Sequence, residues 1–278
     1  MHPSGNLFIA AIDFWNPSLN ALEMAARFAN QFEGRVLAVH VIEKSFHYPE
    51  DIAIDSDTIE EDLTAALKKL LKPLSKRGIP VEFELRRGDM PRQLVQAMHD
   101  HEADAVFIGI REGRMLEDIF IGANTFTLLK SGEIPVVVVD SLPSEPEIKE
   151  ILIPLDRSVG VDGVLKFIAG LEHPIATSAL LITGMSPEES EEAVTVAANA
   201  VADKLETLGF LHIEVEIVKH EDPYSAVMDQ LRAQVGNFDL VLLEQHDLAS
   251  KGQFTLGSFV EEVVTKGRMP VVCLPIQR

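Results

Sequence analysis

The chain has 278 residues, 46% hydrophobic and 24% charged, with a net charge of −20. That length accommodates two domains with separate cores, and the composition is that of an ordinary globular protein. The acidic balance disfavours nucleic acid and anionic membrane as partners, and no apolar run is long enough to span a bilayer.

The segment Met1-His-Pro-Ser-Gly-Asn lacks a basic region and a cleavable apolar stretch, so it reads as the approach to a first strand. Leu7–Ile12 predicts that buried strand, ended by Asp13. Pro17 and Ser18 open a helix with Leu19, Leu22, Ala25, Ala26 and Ala29 on one face. Val36–Ile42 is a second strand, and residues 43–57 follow without a clear period. Thr58–Arg77 predicts an amphipathic helix, kinked near Pro73 and closed by Gly78. Val81–Leu85 alternates like a half-exposed edge strand. Pro91–His101 predicts a helix, Ala105–Ile108 a strand, Ala123–Lys130 a helix and Val136–Val139 a strand.

After a linker over 140–150, stiffened by Pro143 and Pro146, the order repeats. Strands are expected at Ile151–Leu155, Ala179–Thr183, Ile213–Val218, Leu240–Leu243 and Val271–Leu274. Helices are expected near Gly160–Leu171, Pro187–Leu208, Pro223–Val235 and Ser258–Lys266. Asp104 and Asp239, Gly122 and Gly257, and Pro135 and Pro270 share one spacing, which marks a duplicated domain. The expected domains are 1–143 and 144–278. The first carries 14 basic and 22 acidic residues, the second 10 and 22.

Alternating strands and helices predict an α/β fold of two tandem doubly wound five-stranded parallel sheets. Ligands in such sheets bind beyond the carboxyl ends of the strands. Those ends are marked by Asp13, Val41 and Gly109 in the first copy and by Asp156, Thr183 and Glu244 in the second. A helix beginning after Gly122 or Gly257 directs its positive end at an anion, and glycine lets backbone amides approach it.

The Asp at the end of each first strand (Asp13, Asp156), the Val39–Glu43 stretch VHVIE and the closing glycine–helix–PVVVV block resemble the universal stress protein family over nearly the whole chain. The resemblance implies the adenine nucleotide alpha hydrolase-like fold, strand order 3-2-1-4-5, and pairing of the two last strands within one chain. Further self-association into a homodimer is compatible with it. It also implies a stress-response protein that binds ATP or AMP, with Mg²⁺ accompanying ATP, and that is at most a weak ATPase.

In nucleotide-binding relatives an aspartate and the second strand hold adenine and ribose, and a Gly-x2-Gly-x9-Gly-Ser/Thr segment cradles phosphate. Carried over residue by residue, the first-copy site is Ala11, Asp13, Val41, Gly109, Arg111, Gly113, Gly122, Ala123, Asn124 and Thr125. The middle glycine position holds Glu112, which opposes a polyphosphate, with Arg111 or Arg114 to offset it. In the second copy Glu244 and Asp247 replace two glycines, while Gly257 and Ser258 remain, predicting a degenerate site; a cation held by Glu244, His246 and Asp247 is the weaker reading. Gly257 also has a packing explanation, close approach of helix to sheet. The alternative function is a nucleotide-independent interaction module with both sites decayed.

His99 and His101 have the look of metal ligands, but they fall at a helix end without a third partner and read as solvent-facing. His40 reads as a packed strand residue. Trp15 covers either a ligand base or the sheet edge. No Ser-His-Asp, Cys-His or HExxH arrangement calls for covalent or zinc chemistry. Cys273 reads as a buried structural thiol, and with the absence of a signal it points to the cytoplasm.

Overall fold

A computed structural model describes residues 5–43, 58–110, 122–155, 161–171, 173–234, 236–244, 258–266 and 269–275. In the first half the elements are β1 (Leu7–Ala11), α1 (Asn16–Gln31), β2 (Arg35–Ile42), α2 (Ile59–Lys76), β3 (Val81–Arg87), α3 (Met90–His101), β4 (Ala105–Gly109), α4 (Ala123–Ser131) and β5 (Val136–Val139). In the second half they are β6 (Glu150–Leu155), α5 (Asp162–Ala169), β7 (Ser178–Met185), α6 (Glu191–Thr207), β8 (His212–Lys219), α7 (Pro223–Ala233), β9 (Leu240–Glu244), α8 (Ser258–Lys266) and β10 (Val271–Leu274).

The strands form one ten-stranded sheet in the order β3-β2-β1-β4-β5-β10-β9-β6-β7-β8. Each half has the order 3-2-1-4-5 and is parallel throughout. The halves meet at an antiparallel β5–β10 ladder, with Val138 opposite Val271, Val137 opposite Val272 and Val136 opposite Cys273. Their carboxyl ends therefore point to opposite edges of the sheet. β3 and β8 lie outermost, and the Glu residues of VEFELRR and HIEVEIVK keep these edges charged.

Strand alternation divides the core into two faces. Phe8, Ala10 and Ile12 belong to one apolar cluster with buried residues of α1, α2, α5 and α6, whereas Leu7, Ile9 and Ala11 belong to another with α3, α4, α7 and α8. Under α1, Phe8, Phe28, Phe32 and Phe107 form an edge-to-face nest with centroids 4.9–6.2 Å apart. Ala21, Ala25 and Ala26 let α1 lie close to the sheet. The equivalent second-half positions hold the buried aliphatics Ile151, Leu171, Ile175 and Leu242.

The linker is bound along α1. Arg27 Nη1 donates to the carbonyls of Pro143 and Glu145, both at 2.8 Å. Gln31 Nε2 donates to Ile148 O (3.1 Å) and Ile175 O (2.9 Å), and its Oε1 accepts from Ile148 N (2.9 Å).

Three helices have boundaries that differ from the sequence reading, one of them α7, which ends at Ala233 and not at Val235. α6 starts at Glu191, not Pro187, because Ser190 Oγ accepts from Ala193 N (3.4 Å) as its N-cap. α5 ends at Ala169 with Gly170 as its C-cap, two residues short of Leu171; Gly160 lies outside the described residues. α2 runs through Pro73, and Gly78 follows it in the left-handed region at φ +82.

Candidate functional site

A cavity of about 380 Å³ opens at the carboxyl end of β1 and β4, between α3 and α4. That is the crevice where strand order reverses. Ala11, Asp13, Val41, Gly109, Gly122, Ala123, Asn124 and Thr125 all line it. Arg111 and Gly113 lie outside the described residues, as do Glu112 and Arg114. The lining also includes Ser18, Glu43, Met90, Leu94, Ile108 and Ile110, none of which was among the expected site residues. The switch-point geometry could have marked Glu43, which directly follows β2, and Ser18 could have been marked as a hydroxyl at a helix start.

The turn after β1 is held by its own short network. Asp13 N donates to Ser18 Oγ (3.2 Å), the Ser18 hydroxyl donates to Trp15 O (2.9 Å), and Trp15 N donates to Asp13 Oδ1 (3.0 Å). Phe14 adopts φ 65 to make this turn. Trp15 is 37% exposed at the start of α1 and is not part of the cavity lining.

His40 is 1% exposed, and its Nδ1 lies 2.7 Å from Ile12 O, so that nitrogen donates. Its ring packs on Phe14 at 5.1 Å. Burial pushes its pKa below the usual histidine value, against the opposing pull of the Ile12 carbonyl and of Asp13. His40 thus fastens the end of β1. In the second half Thr183, also 1% exposed, makes the equivalent bond, its hydroxyl donating to Leu155 O at 3.1 Å.

The two retained glycines have different physical causes. A Cβ on Gly109 would lie 2.7 Å from Ser18 N and closer still to the Pro17 carbonyl. Gly109 therefore lets the first turn of α1 rest against β4, which is a packing requirement. Gly122 has φ −57 and ψ 147, and among the described residues a Cβ there would have nothing within 4 Å. Neither backbone geometry nor close helix–sheet packing asks for glycine at this position, in contrast to the packing explanation applied to its counterpart.

Gly122 leads into α4, whose start carries no side-chain cap among the described residues and no acidic residue in the first turn. The first intrahelical bond is from Phe126 N to Gly122 O (2.9 Å). The amides of Ala123, Asn124 and Thr125 precede it and lack intrahelical acceptors, and all three residues line the cavity. The start of α3 differs: Glu43 Oε1 accepts from Met90 N and Asp89 Oδ1 from Arg92 N, both at 3.3 Å.

The same ground is filled in the second half. Gly184 takes the position of Val41, and a Cβ on it would lie 2.6 Å from Pro223 Cβ, so α7 starts directly against β7. Glu244 takes the position of Gly109, and its Oε2 accepts from Gly163 N at 2.9 Å near the start of α5. Gly163 leaves room for that carboxylate, since a Cβ would approach it within 2.8 Å. Asp156, His246, Asp247 and Gly257 lie outside the described residues, and the Ser258 side chain is likewise not described.

Elsewhere, His101 Nε2 lies 2.7 Å from Glu84 Oε2, and Arg86 bridges Glu84 (3.0 Å) and Asp100 (2.7 Å). Among the described residues no group of three His, Cys, Asp or Glu could hold a metal, and no helix is long and apolar enough to cross a membrane.

Residues 8–140 match the Universal stress protein family. The chain is 27% identical over 126 residues to universal stress protein MJ0531 of Methanocaldococcus jannaschii, a match covering 44% of this chain and 74% of that protein. The structure is similar to that of a universal stress protein from Archaeoglobus fulgidus (TM-score 0.71, 16% identity, 98% of this chain and 99% of that one). It is also similar to a functionally unknown protein from Pseudomonas aeruginosa PAO1 (TM-score 0.61, 13% identity, 98% and 93%). Identities this low speak to fold, and the family assignment rests on the sequence match: residues 8–140 belong to the universal stress protein family, and the second half repeats their fold.

Proposed function

We propose that the chain is a cytoplasmic stress-response protein that works by binding, without turnover, and whose first-half cavity takes an adenine nucleotide. Ala11 and Val41 flank the base, Asp13 accepts from a ribose hydroxyl, and the amides of residues 123–125 receive phosphate. The observation that carries the reading is Gly122: among the described residues, a glycine with open space around it before an uncapped helix start that faces a cavity. Residues 1–143 and 144–278 act as the two domains, with the β5–β10 ladder standing in for the interface of a dimer. In the second half, Pro223 against Gly184 and Glu244 against Gly163 take the room a nucleotide would need.

Calorimetric titration of the full chain with AMP and ATP, with and without Mg²⁺, tests this. Binding weakened by Gly122→Val and Asp13→Ala supports it, and absence of heat at millimolar ligand refutes it. A nucleotide-independent interaction module is favoured by one observation, the packing cause of Gly109. A first half that folds and binds no nucleotide would select it.

A further inference from the structure

Resting on the nucleotide reading, we propose that the first-half cavity selects a nucleotide carrying one phosphate over a triphosphate. Two helix starts reach this cavity, and they are not equivalent. At α3 the protein supplies its own anions, Glu43 on Met90 N and Asp89 on Arg92 N. At α4 no side chain among the described residues caps the amides of residues 123–125. One seat is filled and one is open, and an open helix start binds one phosphate group through its first-turn amides.

Charge points the same way. Asp13 and Glu43 both line the cavity, and no Lys or Arg does so among the described residues. Residues 111–121, between β4 and α4 in sequence, hold two basic and three acidic residues and so bring no net positive charge. The whole chain carries −20. Sites that hold a triphosphate place lysine, arginine or a metal ion against its outer phosphates. Among the described residues, the charged groups that a phosphate beyond the first would meet in this cavity are the carboxylates of Asp13 and Glu43. The volume of about 380 Å³ also lies near the lower end of the roughly 300–1,000 Å³ usual for ligand pockets.

The second half shows the same device carried further. Glu244 supplies a carboxylate to Gly163 N, an internal anion where the first half has Gly109. Among the described residues, carboxylates thus fill helix starts at both ligand ends, and α4 of the first half is left open.

The test is calorimetric titration of the full chain with adenosine, AMP and ATP at low ionic strength without divalent cations, then at 0.5 M NaCl and with Mg²⁺. AMP should bind about tenfold more tightly than ATP at low salt, and salt or Mg²⁺ should narrow the gap. AMP should also bind more tightly than adenosine, and Gly122→Val should cost AMP more than adenosine. Glu43→Gln keeps an acceptor for Met90 N and removes one charge, so it should raise ATP affinity more than AMP affinity. ATP binding as tightly as AMP at low salt overturns the selectivity and leaves the nucleotide reading standing. Adenosine binding as tightly as AMP overturns the phosphate seat. Failure of all three ligands to bind overturns the nucleotide reading itself.

Discussion

Gly109→Ala and Gly122→Ala are the same chemical change at two glycines of one motif, and the structure assigns them opposite consequences. At Gly109 the new methyl meets backbone, the Pro17 carbonyl and Ser18 N, not the far end of a flexible side chain. Relief requires the start of α1 to move away from β4. Overpacking of this kind costs about 1–3 kcal/mol. The movement also strains the bonds from Asp13 N to Ser18 Oγ and from Ser18 Oγ to Trp15 O, each worth about 1 kcal/mol. The total is roughly 2–4 kcal/mol, or a fall of roughly 5–15 °C in Tm. At Gly122 the methyl meets nothing among the described residues and sits at a φ any residue adopts. Lower unfolded-state entropy contributes about 0.4–1 kcal/mol in favour, and the poorer N-cap offsets it. Net stability should stay within about 1 kcal/mol of the parent. Urea and thermal unfolding followed by circular dichroism measure both. A Gly109→Ala variant as stable as the parent, or a Gly122→Ala variant equally damaged, refutes the separation of a glycine that packing requires from one that it does not.

His40 is neutral and buried with a depressed pKa, so the folded state binds fewer protons than the unfolded state once pH falls through about 6.5. Stability should therefore fall from near pH 6.5 toward the lower folded-state pKa, by at most about 1.4 kcal/mol per pH unit from this group. His40→Thr, the solution used at Thr183, should flatten that slope in pH-dependent urea melts; an unchanged slope rules His40 out as its source. Gln31→Ala removes three hydrogen bonds between α1 and the second half and should cost about 2–3 kcal/mol, read as a lower urea midpoint. Gly163→Ala should destabilise the parent and do so less in a Glu244→Ala background; a double-mutant cycle with coupling under about 0.5 kcal/mol would deny the fit between the two residues. Burial pushes the Cys273 thiol pKa far up, so a thiol reagent should label native protein only at the rate of unfolding.

Periodicity and punctuation made most elements legible: β5, β10 and α8 have the bounds their apolar runs mark. Their order was legible too, since a repeated spacing carries topology with it. The causes of individual residues were harder to read. Gly109 and Gly122 look alike in a motif, and only the distance to Pro17 and Ser18 separates them. Gly184 looks like an ordinary strand glycine until Pro223, far along the chain, is seen to sit on it. Glu43 and Met90 meet only because β2 and the start of α3 converge at one end of the sheet. The α6 start was missed because Pro187 draws attention, whereas Ser190 does the capping.

The antiparallel seam limits what the duplication can do. The carboxyl ends lie at opposite edges of the sheet, and among the described residues the second half contributes no side chain to the lining of the first-half cavity. Its role there must run through structure they share, and that structure is α1. The start of α1 closes the Asp13 turn and rests on Gly109. Its later turns hold the linker through Arg27 and the second half through Gln31. Sixteen helical residues span about 24 Å as one element, pinned to the sheet by Phe28 and Phe32. A displacement at Ser18 is therefore opposed by contacts at Gln31, and the turn that carries Asp13 is kept in place in part by the second half of the chain. On this geometry the second copy contributes by holding the first in shape, which requires no ligand of its own.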